Sequence, residues 1–287
     1  VSGSGSPAER IGHDPLCRPQ PEEGSVICAD GVTKAYHLKN RKTVLAIRDI
    51  RLHVRSREFL SIVGPSGCGK STLLTLLAGL DRPDAGRIVV NGATGKDGFP
   101  NLGYISQSDT LLPWRTVMEN VEIGLELRGR PKNERRETAE RLMAQVGLTG
   151  FEKSYPFELS GGMRKRAAVI RTLAYDPDII FMDEPFVGLD AQTRDALEED
   201  ILRLWQEHRK TIVLVTHDLA EAITLSDRVV LLTARPATVK AEYDIPLPRP
   251  RSVVETRFTP QFVALQKTIW ADLGDEVRRA VAGLGHE

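Results

Sequence analysis

Long apolar runs are missing from this 287-residue chain. Stretches such as Val229-Val230-Leu231-Leu232 fall far short of the roughly 20 apolar residues that span a bilayer, so no transmembrane segment is expected. Cysteine is scarce. Cys17, Cys28 and Cys68 form no CxxC pair and no metal-ligand spacing, which argues against a disulfide framework and fits a reducing cytoplasm. An excess of either charge is lacking too, since Lys+Arg and Asp+Glu both total 39. That balance argues against a broad basic surface for nucleic acid, where phosphate neutralisation dominates affinity. The first residues lack the basic, apolar and small-residue succession of a signal peptide.

What is present suits a soluble globular protein, with 41% hydrophobic and 27% charged residues. The length allows one substantial core with appended subdomains, or at most two small domains. Residues 1–25 are rich in Gly, Ser and Pro without apolar period and read as a disordered tail, in which His13 and Cys17 carry no metal-site signal. From Val26 short β-branched runs begin. Ile47, Ile50, Leu52 and Val54 alternate with charge as half-exposed strands do, and Gly86 to Gly92 reads as a strand ending in an Asn-Gly turn. Residues from about Pro113 to Ala174 are mainly helical, with Glu137 and Arg141 at i,i+4 on a solvated face. Strands return at 178–182, 211–216 and 227–232 with helices between them, a rhythm that predicts a largely parallel sheet covered on both faces. Phe262, Leu265, Ile269, Leu273 and Val277 mark an amphipathic C-terminal helix, expected to pack on its own domain.

The chemistry concentrates first at Gly64-Pro65-Ser66-Gly67-Cys68-Gly69-Lys70-Ser71, followed by Thr72. It fills GxxxxGK[ST] completely, between the apolar strand 58–63 and a Leu-rich helix from Ser71 to Ala78. Glycines let the backbone wrap phosphate oxygens, and the helix start aims free N–H groups at them. Lys70 reaches the β/γ-phosphates and Ser71 offers a hydroxyl to Mg2+. Cys68, beside a helix N-terminus, is expected to have a lowered thiol pKa, so thiol reagents should inhibit and ATP protect. The second anchor is Ile179-Ile180-Phe181-Met182-Asp183-Glu184. Its apolar run delivers Asp183 to the carboxyl end of a buried strand, where parallel sheets bind ligands. Asp183 suits Mg2+ and Glu184 suits the attacking water; a helix N-cap is the plainer use of such a pair.

Leu159-Ser160-Gly161-Gly162-Met163, just upstream of Asp183-Glu184-Pro185, resembles the signature of the ATP-binding cassette (ABC) family. Gly188-Leu189-Asp190 resembles its D-loop, His217 its switch histidine, Gln107 its Q-loop, and Tyr36 its adenine-stacking aromatic. The resemblance covers roughly residues 26–250. It implies an α/β fold: a P-loop NTPase (RecA-like) core with an antiparallel β subdomain and an inserted helical signature subdomain, followed by a C-terminal helical extension at 251–287. It implies ATP and Mg2+ as cofactors, with Gln107 joining Ser71 and Asp183 at the metal, and with Glu184, Gln107 and His217 serving catalysis. It also implies a homodimer in the ATP-bound state, in which Ser160, Gly161 and Gly162 of one copy close on ATP held by Lys70 of the other, Asp190 coupling the two sites. Met163 departs from the Gln that many members carry, but the phosphate-facing residues are intact.

The segment Pro113-Trp114-Arg115-Thr116-Val117-Met118-Glu119-Asn120-Val121, with Ala234-Arg235-Pro236 and Leu247-Pro248-Arg249-Pro250-Arg251, resembles the nitrate/sulfonate/taurine importers of that family. Trp114 is open between a core residue of the helical subdomain and an exposed grip on a permease, aromatics being enriched at interface anchors. The Arg/Pro stretch reads by itself as an exposed, extended linker. This resemblance implies separate integral membrane permease subunits, a substrate-binding protein reached indirectly, no nucleic acid, and a peripheral place on the cytoplasmic face of the inner membrane. Other classes stay open: the cassette of an exporter with a separate permease, a non-transport ABC ATPase, and a binding-only module with a silent site.

Overall fold

The computed structural model describes residues 24–37, 43–94 and 101–284. His13, Cys17 and nearly all of the expected tail lie outside the described residues. The chain forms two compact units, one from the residues up to 100 together with those from Lys210 onward, the other from Asn101–Arg209.

In the first unit, β1 (Ser25–His37), β2 (Thr43–Arg55), β4 (Ala85–Val90) and β5 (Ala93–Thr94) form an antiparallel sheet in the order β2-β1-β4-β5. The apolar alternation of β2 slips phase between Ile47 and Ile50, and the structure supplies the cause. Asp49 adopts φ 47° and the β1–β2 register shifts there, so that Ile47, Ile50, Leu52 and Val54 all remain buried. The same unit holds β3 (Phe59–Val63), β8 (Thr211–Val215) and β9 (Arg228–Leu232), mutually parallel and each buried along its whole length, with β10 (Val239–Asp244) antiparallel at the β9 edge. Continuous β-branched and leucine runs are what doubly covered parallel strands require.

Helices α1 (Lys70–Leu77), α6 (Leu219–Leu225), α7 (Val253–Arg257) and α8 (Pro260–Leu284) belong to this unit. Phe262, Leu265, Ile269 and Leu273 of α8 enter a core with Ile223 of α6, Leu231 of β9 and Tyr243 of β10. Val277, expected on that face, is 39% exposed instead. The Arg/Pro stretch is not an exposed linker. Leu247 is buried in the α8 core, and the buried Arg251 guanidinium donates to the carbonyls of Ile223, Thr224, Ser226, Ile245 and Leu247. The last carbonyls of α6 lack intrahelical partners and take these donors. Burial, with Arg249 adding repulsion, pushes the Arg251 pKa down to about 10.

In the second unit, β6 (Leu102–Ile105) runs parallel to β7 (Ile179–Asp183). Helices α2 (Val117–Leu127), α3 (Lys132–Gln145), α4 (Gly161–Ala174) and α5 (Ala191–His208) accompany them. Thr116 and Glu119 close a capping box at the start of α2. On α3, Glu137 and Arg141 are exposed as expected, and an i,i+4 ion pair forms one position earlier, between Arg136 and Glu140 at 2.9 Å.

Candidate functional site: a phosphate loop and its carboxylates

β3 ends at Val63 and the chain turns at once into the loop 64–69, which opens α1. Gly69 has φ 129°, and a Cβ there would stand 3.0 Å from the Ala46 carbonyl oxygen. Only glycine combines that dihedral with that approach. Gly64 is similarly hemmed, by Cys68 Sγ at 3.1 Å and the Leu232 carbonyl oxygen at 3.2 Å from its would-be Cβ, and Gly67 has φ 71°. Lys70 curls back over the loop, its ammonium donating to the Gly64 and Pro65 carbonyls at 3.0 and 3.1 Å. No side chain caps α1, leaving the N–H groups of its first turn to the loop. Ser66, Gly67 and Ser71 are exposed, Thr72 half-buried.

β8 lies beside β3 with Ile62 opposite Val215, so His217 leaves the sheet at the end from which the loop rises. Thr216 is buried, its hydroxyl donating to Glu221 at 2.5 Å, and Asp218 caps α6. That pins the backbone on both sides of the exposed His217 ring. Tyr36 is 40% exposed on β1, with its hydroxyl donating to Asp81 Oδ2 at 3.3 Å and Lys34 Nζ 5.5 Å from its ring centre.

In the second unit, Ile105 pairs with Met182, so Gln107 and Asp183 both follow the carboxyl ends of parallel strands. The Tyr104 hydroxyl donates to Asp183 Oδ2 at 3.4 Å, and burial together with that carboxylate pushes the phenol pKa up. Glu184 adopts φ 44°, a left-handed conformation rare outside glycine, directly after the buried run of β7. Such strain persists where surrounding structure holds it and gathers at functional sites. Ser160 caps α4 by accepting from Met163 N–H, and Gly161 and Gly162 form the first turn. Gly162 has a packing reason as well, since a Cβ there would meet Thr193 Cγ2 at 2.3 Å. The same Thr193 donates from its N–H (3.0 Å) and hydroxyl (2.7 Å) to the carboxylate of Asp190, the N-cap of α5, and these bonds lower the Asp190 pKa. Signature and D-loop are thus joined through one threonine.

Residues 47–187 match the family described as ABC transporter. An uncharacterized ABC transporter ATP-binding protein of Methanocaldococcus jannaschii is 48% identical over 252 residues, covering 88% of this chain and 92% of its own length. The nitrate import ATP-binding protein NrtD of a Synechocystis species is 44% identical, covering 72% of this chain and 78% of its own. The taurine import ATP-binding protein TauB of Roseobacter denitrificans is 41% identical, with 76% and 81% covered. Among solved structures, a dimeric post-hydrolysis state of the ATP-binding cassette MJ0796, bound to ADP and Pi, aligns with a TM-score of 0.69. It is 30% identical and covers 77% of this chain and all of that one. The chain belongs to the ABC transporter ATP-binding proteins.

It is accordingly an ATPase of the ABC class with ATP and Mg2+ as its cofactors, and its fold is a P-loop NTPase core with a helical subdomain. The residues present fit both groups. At Gly64 and Gly69 the loop leaves no room for a side chain, and the Lys70 ammonium and a helix start without a side-chain cap lie at it. Within the first unit the Ser71 hydroxyl at the start of α1 is a hard oxygen of the kind Mg2+ prefers.

Several residues of this ABC cassette escaped the sequence reading. Arg164, Lys165 and Arg171 of α4 bind the backbone or side chains of the segment after β6: Arg164 to Asp109 at 2.9 Å, Lys165 to the Gln107 carbonyl, and Arg171 to the Thr110 carbonyl at 2.7 Å. Burial lowers the pKa of Lys165 and of Arg171. Arg164 and Arg171, seven apart on one helix face, were the available signal. Asn120 is fully buried and bonds the Leu112 N–H and the carbonyls of Leu112, Arg115 and Thr116. It thereby holds the Pro113-Trp114 turn on α2. Trp114 itself is 70% exposed, which excludes the core role. The expected acidified thiol at Cys68 is also corrected. The side chain is buried, and desolvation raises its pKa despite the nearby Lys70.

Proposed function

We propose that this cassette works as an ATP-driven pair beneath separate permease subunits of an importer for nitrate, sulfonate, taurine or similar small compounds. In this reading Lys70 and the loop 64–72 hold the triphosphate, Ser71, Gln107 and Asp183 hold Mg2+, and Tyr36 stacks on adenine. Glu184 takes a proton from the attacking water, and His217 donates to the γ-phosphate, which its neutral form does without titrating. Ser160, Gly161 and Gly162 of the second copy close the site with the N-terminal dipole of their helix, and Asp190 couples the two. The observation that carries it is the Lys70 ammonium folded back onto the Gly64 and Pro65 carbonyls of a glycine-rich loop. Lys70→Ala is expected to weaken binding of a fluorescent ATP analogue by more than roughly 100-fold, as loss of a charge-assisted phosphate contact and its cradle implies. Undiminished affinity in the folded variant contradicts the assignment.

Support for the permease comes from the second unit's surface. The N–H of Val117, which opens α2 just after Trp114, donates to the Ser154 carbonyl at 2.8 Å, tying the start of α2 to the segment that leads into Tyr155 and Phe157. Those two rings stack at 5.7 Å, and Phe157 is 75% exposed. Exposed aromatics on both of these joined segments offer anchors for an apolar partner segment. No helix among the described residues is long and apolar enough to cross a membrane, and the reading puts the cassette at the cytoplasmic face of the inner membrane, held there by the permease. Trp114→Ala is expected to abolish co-purification with the permease while the ATPase rate of the free cassette stays within about two-fold, since truncating a buried interface anchor costs roughly 2 kcal/mol or more of binding. Retained co-purification removes Trp114 from that surface.

A further inference from the structure

We propose that the buried carboxylate of Glu276, on the C-terminal helix α8, is a positioning residue that braces the phosphate loop through the 233–238 turn. The chain of contacts is short and lies within one unit. Glu276 is 1% exposed. Its Oε2 accepts the Ala234 N–H at 3.0 Å, and its Oε1 lies 2.9 Å from Lys240 Nζ and 2.8 Å from the Arg279 guanidinium. Lys240 also donates to the Asp272 carbonyl at 2.7 Å, so the α8 backbone and side chain hold the same ammonium.

The turn that begins at Ala234 is closed by Thr233 and Thr238, whose backbones pair at 3.0 Å and whose hydroxyls meet at 3.1 Å. Ala237 then forms a two-way bridge to β2: its N–H donates to the Ala46 carbonyl, and its carbonyl accepts from Arg48 N–H, both at 2.9 Å. Those are the atoms against which the loop rests. The direction of the absent Cβ of Gly69 meets Ala46 O at 3.0 Å, Ile47 Cγ1 at 3.4 Å and Ala237 Cβ at 3.6 Å. A Cβ on Gly64 would likewise stand 3.2 Å from Leu232 O, one residue before the turn. The rear wall of the loop is therefore built from the turn that Glu276 anchors. Burial pushes the Glu276 carboxyl up, but Lys240 and the Ala234 N–H outweigh it and hold the group ionised and low.

Because loop and wall approach too closely for even a methyl group between them, a displaced turn shifts the support of Gly69 and of the first N–H groups of α1, and a small misplacement of such groups is costly. The inference rests on loop 64–71 holding the triphosphate, so Lys70→Ala is measured in parallel. A fluorescent ATP analogue with Mg2+ is titrated into the full chain carrying Glu276→Ala, Glu276→Asp or Glu276→Gln, and steady-state turnover and urea midpoints are recorded. Glu276→Ala and Glu276→Asp are expected to weaken nucleotide affinity and raise KM roughly ten-fold with kcat within about two-fold, a change in binding and not in the chemical step. The shorter Asp keeps the charge but withdraws from Ala234, so it reports on the bond even where the Ala variant does not fold. Glu276→Gln keeps an oxygen for Ala234 N–H and is expected to restore affinity to within about three-fold, since the main-chain hydrogen bond survives. Folded Ala or Asp variants with lowered urea midpoints but wild-type affinity overturn the brace. If Lys70→Ala also binds normally, the nucleotide site itself is misassigned and the brace falls with it.

Discussion

Glu184→Gln is expected to bind MgATP as the parent does but to hydrolyse it roughly 10²–10⁴-fold more slowly, the contribution of a positioned general base. The amide keeps the size and planarity of the carboxylate and loses only its proton-accepting charge. Its location makes the effect large. β7 buries Ile179, Ile180, Phe181 and Met182 and releases the chain at Asp183, after which Glu184 is held at φ 44° by the turn that the Val187 N–H closes on its carbonyl. That backbone fixes where the side chain leaves the chain, and no other acidic side chain follows until Asp190, which Thr193 occupies. Phosphate release and analogue titration on the same preparation check this. Turnover within a few-fold of the parent removes Glu184 from its assigned role.

Arg228→Met is expected to be the most destabilising single change in the first unit, about 3–5 kcal/mol, the cost of stripping one partner from a buried ion cluster. The Arg228 guanidinium donates to Glu58 at 2.7 Å and to Glu242 at 2.5 Å, and also reaches the His53 carbonyl. All three charged side chains are 10% exposed or less. Glu58 in turn accepts the Arg55 N–H at 2.7 Å, which fixes the turn between β2 and β3. Methionine fills comparable volume and pairs with neither carboxylate, leaving two buried negative charges facing each other. Urea unfolding followed by circular dichroism measures the loss, and adding Glu242→Gln to the variant should recover part of it. A midpoint unchanged from the parent contradicts this account of the cluster.

Nearly everything that local spacing can encode was legible beforehand. The loop from Gly64 to Ser71, the buried run ending at Asp183 and the apolar face of α8 from Phe262 to Leu273 are each written within a few helical turns. What escaped depends on pairs far apart in the chain. Arg228 and Glu58, Glu276 and Ala234, and Arg251 and the end of α6 are separated by distances over which no period connects them. Arg251 illustrates the point. Set at the end of a Pro-Arg-Pro run it reads as solvent-exposed, yet the open carbonyls of α6 require a donor and draw it inside. Cys68 failed for the converse reason: the helix N-terminus beside it is real, but the tight packing of Gly64 against its sulfur buries the thiol, and desolvation wins. Trp114 could be settled only once Asn120 was seen to hold its turn at the surface.

The pairing of copies is tested most directly by complementation in the Glu184→Gln background. One preparation adds Lys70→Ala, the other Ser160→Arg, and each is examined alone and mixed, by light scattering and retained nucleotide with MgATP. Neither alone should dimerise or keep ATP. The mixture should form a dimer retaining about one ATP per two chains, because a head-to-tail pair rebuilds a single site from Lys70 of one copy and Ser160 of the other. A mixture indistinguishable from its separate components contradicts the shared site.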